Sequence, residues 1–99
     1  MERSKYPLRN LRVINFGWVW AAPVLGGTLG DMGAEVIKIE TRKRPDIVRV
    51  LPPLLGEQPL ESMYGHTTLR SNLGISLDLA TQKGRDIAKE LVKSADIVI

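Results

Sequence analysis

Three consecutive bases, Arg42, Lys43 and Arg44, follow the acidic end of EVIKIE at residues 35–40. A basic run just past the carboxyl end of a strand is where an open parallel sheet meets the phosphates of a nucleotide, and arginine meets them bidentately. The same run also suits a solvated loop. A second candidate is the turn GWVWAAP at residues 17–23, which follows the apolar LRVINF at 11–16. A dinucleotide fingerprint would place glycine at 17, 19 and 22, with an acid ending the second strand. Gly17 and Glu40 comply, but Val19 and Ala22 stand where bare backbone is required, and Trp18 and Trp20 flank that place. NAD or FAD binding is therefore disfavoured. The two tryptophans equally suit a core or an interface between chains.

Other chemistries have less to draw on. The chain contains no cysteine, which removes disulfides, thiolate catalysis and cysteine-ligated zinc, and a single histidine, His66, builds no metal site alone. His66 sits among Tyr64, Thr67 and Thr68, where a loop histidine is more often solvated than a base. Asp31, Asp46, Asp78, Asp86 and Asp96 fall in contexts that suit helix, loop, strand-end and capping roles. The net charge of +3 favours anionic partners but falls short of a nucleic-acid signature, and no aromatic residues interleave with the basic run. No apolar h-region follows the early charges, and no run approaches the ~20 residues that span a bilayer. Cytoplasm is the expected compartment.

The elements that must position these residues read as an α/β pattern. LRVINF is a buried strand that ends at Gly17. Pro23 to about Met32 reads as a helix with proline in its first turn and Gly33 as its left-handed stop; Gly26, Gly27 and Gly30 make sense if that helix lies close against a sheet. EVIKIE is a second strand, which closes a β-α-β unit. A long loop follows over about 41–73, with four prolines and a short helical turn expected near 60–64. ISLDL at 75–79 reads as a third strand. Thr81 then caps a helix to about Ser94, with Ile87, Ala88, Leu91 and Val92 on one face. DIVI at 96–99 starts a fourth strand, and an apolar strand with an open edge is not how complete α/β domains finish, so the 99 residues are expected to be an incomplete part of a larger fold.

LRVINF, VWAAP, LGDMGAEVIKIE, a long loop and ISLDLATQKGRDIAKELVKSADIVI occur in an order that resembles the opening of the class III (family III) CoA-transferases, the group containing formyl-CoA and carnitine CoA-transferases. The most specific pieces are Leu29 to Glu40, and SLDL with the helix ending in KSAD. The resemblance implies a Rossmann-like parallel sheet with flanking helices, the N-terminal portion of a longer chain that dimerises by interlocking two ring-like subunits. It implies coenzyme A, arriving as an acyl-CoA, and a carboxylic acid as substrates, with no metal. The turn after the first strand touches the coenzyme, which brings in Val19, Trp20 and Ala21; the family's Gln-Ala pair falls on Trp20 and Ala21, so Trp20 departs. The basic residue that follows the strand-two acid falls on Thr41, with Arg42 next to serve instead. Further contacts fall on Leu77, Asp78, Leu79 and Ala80, where a basic residue usually stands at Ala80. The frequent Asn-Lys-Arg appears here as Ser71, Asn72 and Leu73. The family's nucleophile, an aspartate, lies well downstream and matches none of the aspartates present, so no residue here is expected to be catalytic.

The expected protein is an acyl-CoA:carboxylate CoA-transferase, of which this is the coenzyme-side segment, inert alone. The α-methylacyl-CoA racemases share the same N-terminal pattern and differ in downstream acid and base residues. A non-catalytic nucleotide-binding or assembly module is the reading that Trp20, Thr41 and Ala80 would favour.

Overall fold

β1 (Arg12–Asn15) runs through the middle of a four-stranded parallel sheet, where Val13, Ile14 and Asn15 lose all contact with solvent. The structure, a computed structural model, describes residues 5–57 and 61–99. On one side β1 pairs with β2 (Glu35–Glu40), in the register Val13 to Val36 and Ile14 to Ile37. On the other it pairs with β4 (Ile97–Val98). β3 (Asn72–Ser76) lies outside β2, giving the order β3-β2-β1-β4. That is the order of the first four strands of a doubly wound nucleotide-binding sheet, and it explains why LRVINF and EVIKIE read as near-continuous apolar runs. Val13, Ala34 and Val36 form the core cluster, with Leu8, Leu11, Leu29, Ile97 and Ile99 packed on it.

α1 (Ala21–Asp31) carries Pro23 in its first turn and ends at Gly33, whose φ of +102° is the left-handed stop expected of it. The helix is glycine-rich because it is pressed onto the sheet. A Cβ built on Gly26 would lie 2.6 Å from the Asn15 amide nitrogen, and one on Gly30 would lie 2.3 Å from the Ser71 carbonyl oxygen. At its far end Asp31 accepts from Arg70 Nε at 2.8 Å and from Ser71 Oγ at 2.6 Å, which ties the helix to the start of β3.

Within the stretch expected as a long loop the chain is tied down at several buried points. A 3-10 turn spans Ile47–Arg49 and a helix, α2, spans Met63–Thr68; Asp46, Val48, Ser62 and Thr68 are all buried. Ser62 caps α2 through its Oγ, which accepts from the Tyr64 N–H at 3.1 Å and donates to the Leu51 carbonyl. The helical turn expected near 60–64 therefore starts later, and Leu60 lies outside the described residues.

The third strand is displaced from its expected place. It occupies Asn72–Ser76 instead of 75–79, because the ladder with β2 runs from Val36 opposite Asn72 to Glu40 opposite Ser76 and stops where β2 stops. Beyond it the Leu77 N–H reaches the Glu40 carbonyl at 2.8 Å, and Asp78 Oδ1 accepts from the Ala80 N–H at 3.0 Å. The alternation in ISLDL imitates a strand, whereas the Asn and Gly of the true one look like a loop. α3 (Gln82–Lys93) follows with Thr81 as its cap, Oγ1 accepting from the Gly84 N–H at 3.0 Å. No helix among the described residues is long and apolar enough to cross a membrane.

The close approach of α1 makes Gly30→Ala a sharp probe. Alanine gains about 1 kcal/mol of helix propensity over glycine, but the clash with the Ser71 carbonyl should outweigh it, with a net loss of about 1–2 kcal/mol. Urea unfolding of the variant checks the sign.

Candidate ligand cleft

Lys38 is the centre from which the loops around the cleft are hung. It sits in β2 between Ile37 and Ile39, nearly sealed from solvent, and its ammonium donates to Asp46 Oδ2 at 3.0 Å and to the Gly17 carbonyl. Asp46 is wholly buried, and its other oxygen accepts from the N–H groups of Val19 at 3.1 Å and Val48 at 3.2 Å. One buried ion pair thus joins the turn after β1 to the loop after β2. The Val19 backbone is held at φ 72°, a region that costs a β-branched residue about 1–2 kcal/mol.

Glu40 supports the same loop from the end of β2. Burial pushes its carboxyl up, but the Arg49 guanidinium, at 2.7 Å from Oε1, and the Asp46 N–H, at 3.0 Å from Oε2, outweigh burial and hold it below the ordinary carboxylate range. Arg49 is correspondingly raised, first by its hydrogen bonds to Glu40.

Between these anchors the basic run makes a tight turn. The Arg44 N–H returns to the Thr41 carbonyl at 3.1 Å, and the Lys43 N–H reaches Thr41 Oγ1 at 3.3 Å. The turn divides the three bases. Lys43 and Arg44 line a cleft of about 650 Å³ at the carboxyl ends of β1, β2 and β3, whereas Arg42 lines a separate depression beside Ser76. The cleft has apolar walls of Phe16, Ile39, Leu77 and Leu79, and Trp18 closes one side. Lys43 reaches Asp78 Oδ2 at 2.8 Å; that bond raises the Lys43 ammonium and, with the Ala80 N–H, lowers the Asp78 carboxyl. The Arg44 guanidinium lies over the Trp18 ring, 4.9 Å from its centroid.

Of the residues singled out from sequence, Thr41, Leu77, Asp78, Leu79 and Ala80 come together in this cleft. The displacement of β3 is what brings them there, since it moves 77–80 out of a strand and into the loop at the sheet's carboxyl edge. Val19, Trp20 and Ala21 do not line it. They are exposed around the start of α1, where Trp20 packs edge-on against Tyr64 with ring centroids 5.5 Å apart. Sequence reasoning missed Phe16 and the Lys38–Asp46 pair. The signal for the pair was a lysine amid isoleucines on an interior strand, which demands an acidic partner. Among the described residues no group of three or more His, Cys, Asp or Glu is placed to hold a metal ion.

A parallel sheet in this order, with a ligand cleft at its carboxyl edge, is shared by many enzymes; the sequence narrows the choice, because residues 8–99 match the model of CoA-transferase family III. The chain belongs to that family. It is 39% identical to a succinate–glutarate CoA-transferase of Agrobacterium fabrum, with all of this chain and 26% of that protein covered. The human succinyl-CoA:glutarate CoA-transferase is 34% identical over 94% of this chain and 21% of its own length. The crystal structure of a CAIB/BAIF family protein from Brucella suis superposes with a TM-score of 0.84 at 33% identity, covering 94% of this chain and 25% of that one. The family III chain thus spans about a fifth to a quarter of the length of these relatives.

Two outcomes follow from the buried pair and its support. Asp46→Ala strands the Lys38 ammonium and two backbone N–H groups, at an expected cost of about 3–5 kcal/mol, while Lys38→Met with Asp46→Leu should cost much less; chemical denaturation of both variants checks this. Because the folded Glu40 carboxyl is depressed, its stabilisation is fully present above its ordinary value of 4.5 and is lost as pH falls through the lower folded value. Glu40→Gln should therefore flatten the acid limb of the stability profile below that pH.

Proposed function

We propose that this chain is the coenzyme-contacting segment of an acyl-CoA:carboxylate CoA-transferase, an enzyme that moves coenzyme A from an acyl thioester to a free carboxylic acid. The observation that carries the reading is the cleft at the sheet's carboxyl edge, which gathers Thr41 and Leu77–Ala80 around apolar walls with a cationic rim. Such walls suit the adenine end of the coenzyme, which needs a flat apolar slot, and the rim suits its phosphates. The pantetheine arm would then run past Trp18 toward the exposed surface of Trp20 and Ala21, with Val19 holding the turn. Arg42, across the turn, would meet the coenzyme from its outer side. The acyl group is carried in this reading by an aspartate outside these residues, in a protein that pairs with a second copy of itself.

The relatives' names point to the acids exchanged. Succinate, glutarate and mesaconate are short dicarboxylates, and for this protein an acid of that class would be the acceptor and the CoA thioester of another the donor.

The experiment is a calorimetric titration of coenzyme A into the full-length protein and its Leu79→Asp variant. A carboxylate placed in the wall beside the nucleotide should raise Kd at least about tenfold, or 1.4 kcal/mol. Leu79 is 39% exposed, so the melting temperature should hardly move. Unchanged affinity would remove the cleft from the coenzyme site.

A further inference from the structure

The charged groups that line the cleft are Glu40, Lys43, Arg44 and Asp78. Three of them are already matched, Glu40 by Arg49 and Lys43 by Asp78. Arg44 has no carboxylate within ion-pairing distance among the described residues, so it carries the cleft's uncompensated charge. Its guanidinium rests on Trp18. A guanidinium held over an indole by cation–π attraction keeps its N–H donors available to a ligand, and the contact restricts the rotamers of an otherwise long side chain. The turn closed by the Arg44 N–H on the Thr41 carbonyl fixes the backbone beneath it.

Resting on the reading above, we propose that Arg44, seated on Trp18, is the phosphate-binding residue of the cleft, and that Lys43 is withheld from that role by Asp78. A free, fork-shaped cation beside apolar walls matches a phosphate ester attached to a flat ring system. A small dicarboxylic acid would leave the walls of a cleft of about 650 Å³ unfilled. Trp18 acts as a positioning residue: it holds the guanidinium at the cleft and makes no demand on the ligand itself.

The test titrates coenzyme A and dephospho-coenzyme A into the full-length protein. Arg44→Ala should raise Kd for coenzyme A about ten- to a hundredfold. Arg44→Lys should recover only part of that loss because it lacks the fork. Lys93→Ala, which removes one exposed charge at the far end of α3, should leave Kd within about twofold, as expected of a charge screened from the site. Trp18→Phe should keep the affinity, whereas Trp18→Ala should weaken it several-fold, in line with loss of the stack. If dephospho-coenzyme A binds the wild type as weakly as coenzyme A binds Arg44→Ala, the contact is the ribose phosphate; if it loses a further tenfold on Arg44→Ala, the contact is the pyrophosphate. An Arg44→Ala Kd within twofold of wild type, or an equal loss in Lys93→Ala, overturns the inference and leaves the coenzyme reading standing. A wild-type protein that binds no coenzyme A overturns both.

Discussion

A lysine and an aspartate sealed inside the protein fasten together the two loops that approach the cleft from β1 and β2. Taking both charges out of water is expensive, and a pair of this kind adds little net stability compared with apolar residues of the same size. What it supplies is location. The Lys38 ammonium touches the Gly17 carbonyl, and the Asp46 carboxylate touches the Val19 and Val48 N–H groups. Two loops that leave the sheet from neighbouring strands are thereby fastened to one point. The left-handed backbone of Val19 is sustained by that fastening, as strained residues are when their surroundings over-determine them.

The cleft depends on the same point at one remove. Glu40 ends β2, accepts from the Asp46 N–H and grips Arg49, so the segment from Thr41 to Pro45 is held at both ends while its middle projects over the sheet edge. On the facing side Leu77 is held by the Glu40 carbonyl. Glu40 therefore organises both walls, one through its side chain and one through its backbone. The match to CoA-transferase family III over residues 8–99 covers this whole arrangement.

Much of this was legible in the sequence for reasons that are local. EVIKIE occupies β2 to the residue, Thr81 caps α3 as its hydroxyl chemistry requires, and Gly33 stops α1 with a positive φ. The glycines of α1 announced a close approach, although not that Asn15 and the Ser71 carbonyl would be the atoms met. β3 was misplaced because its start is decided by pairing with β2, a long-range constraint, while the local alternation favours the residues that follow it. The basic run was legible as a run but not as three separate residues. The turn that Lys43 and Arg44 close on Thr41 places those two bases in the cleft and Arg42 outside it, and no pattern of residue types encodes that division.

That small turn has a consequence for how the segment can change over generations. Its two ends are fixed by Glu40 and Asp46, and its neighbouring side chains look toward different depressions. Because the turn that sorts these side chains spans only Thr41 to Arg44, its length is part of what assigns each base to its depression. The charge offered at the sheet edge thus depends on which of the exposed positions 42–44 carry a base, and none of these belongs to the buried Lys38–Asp46 framework.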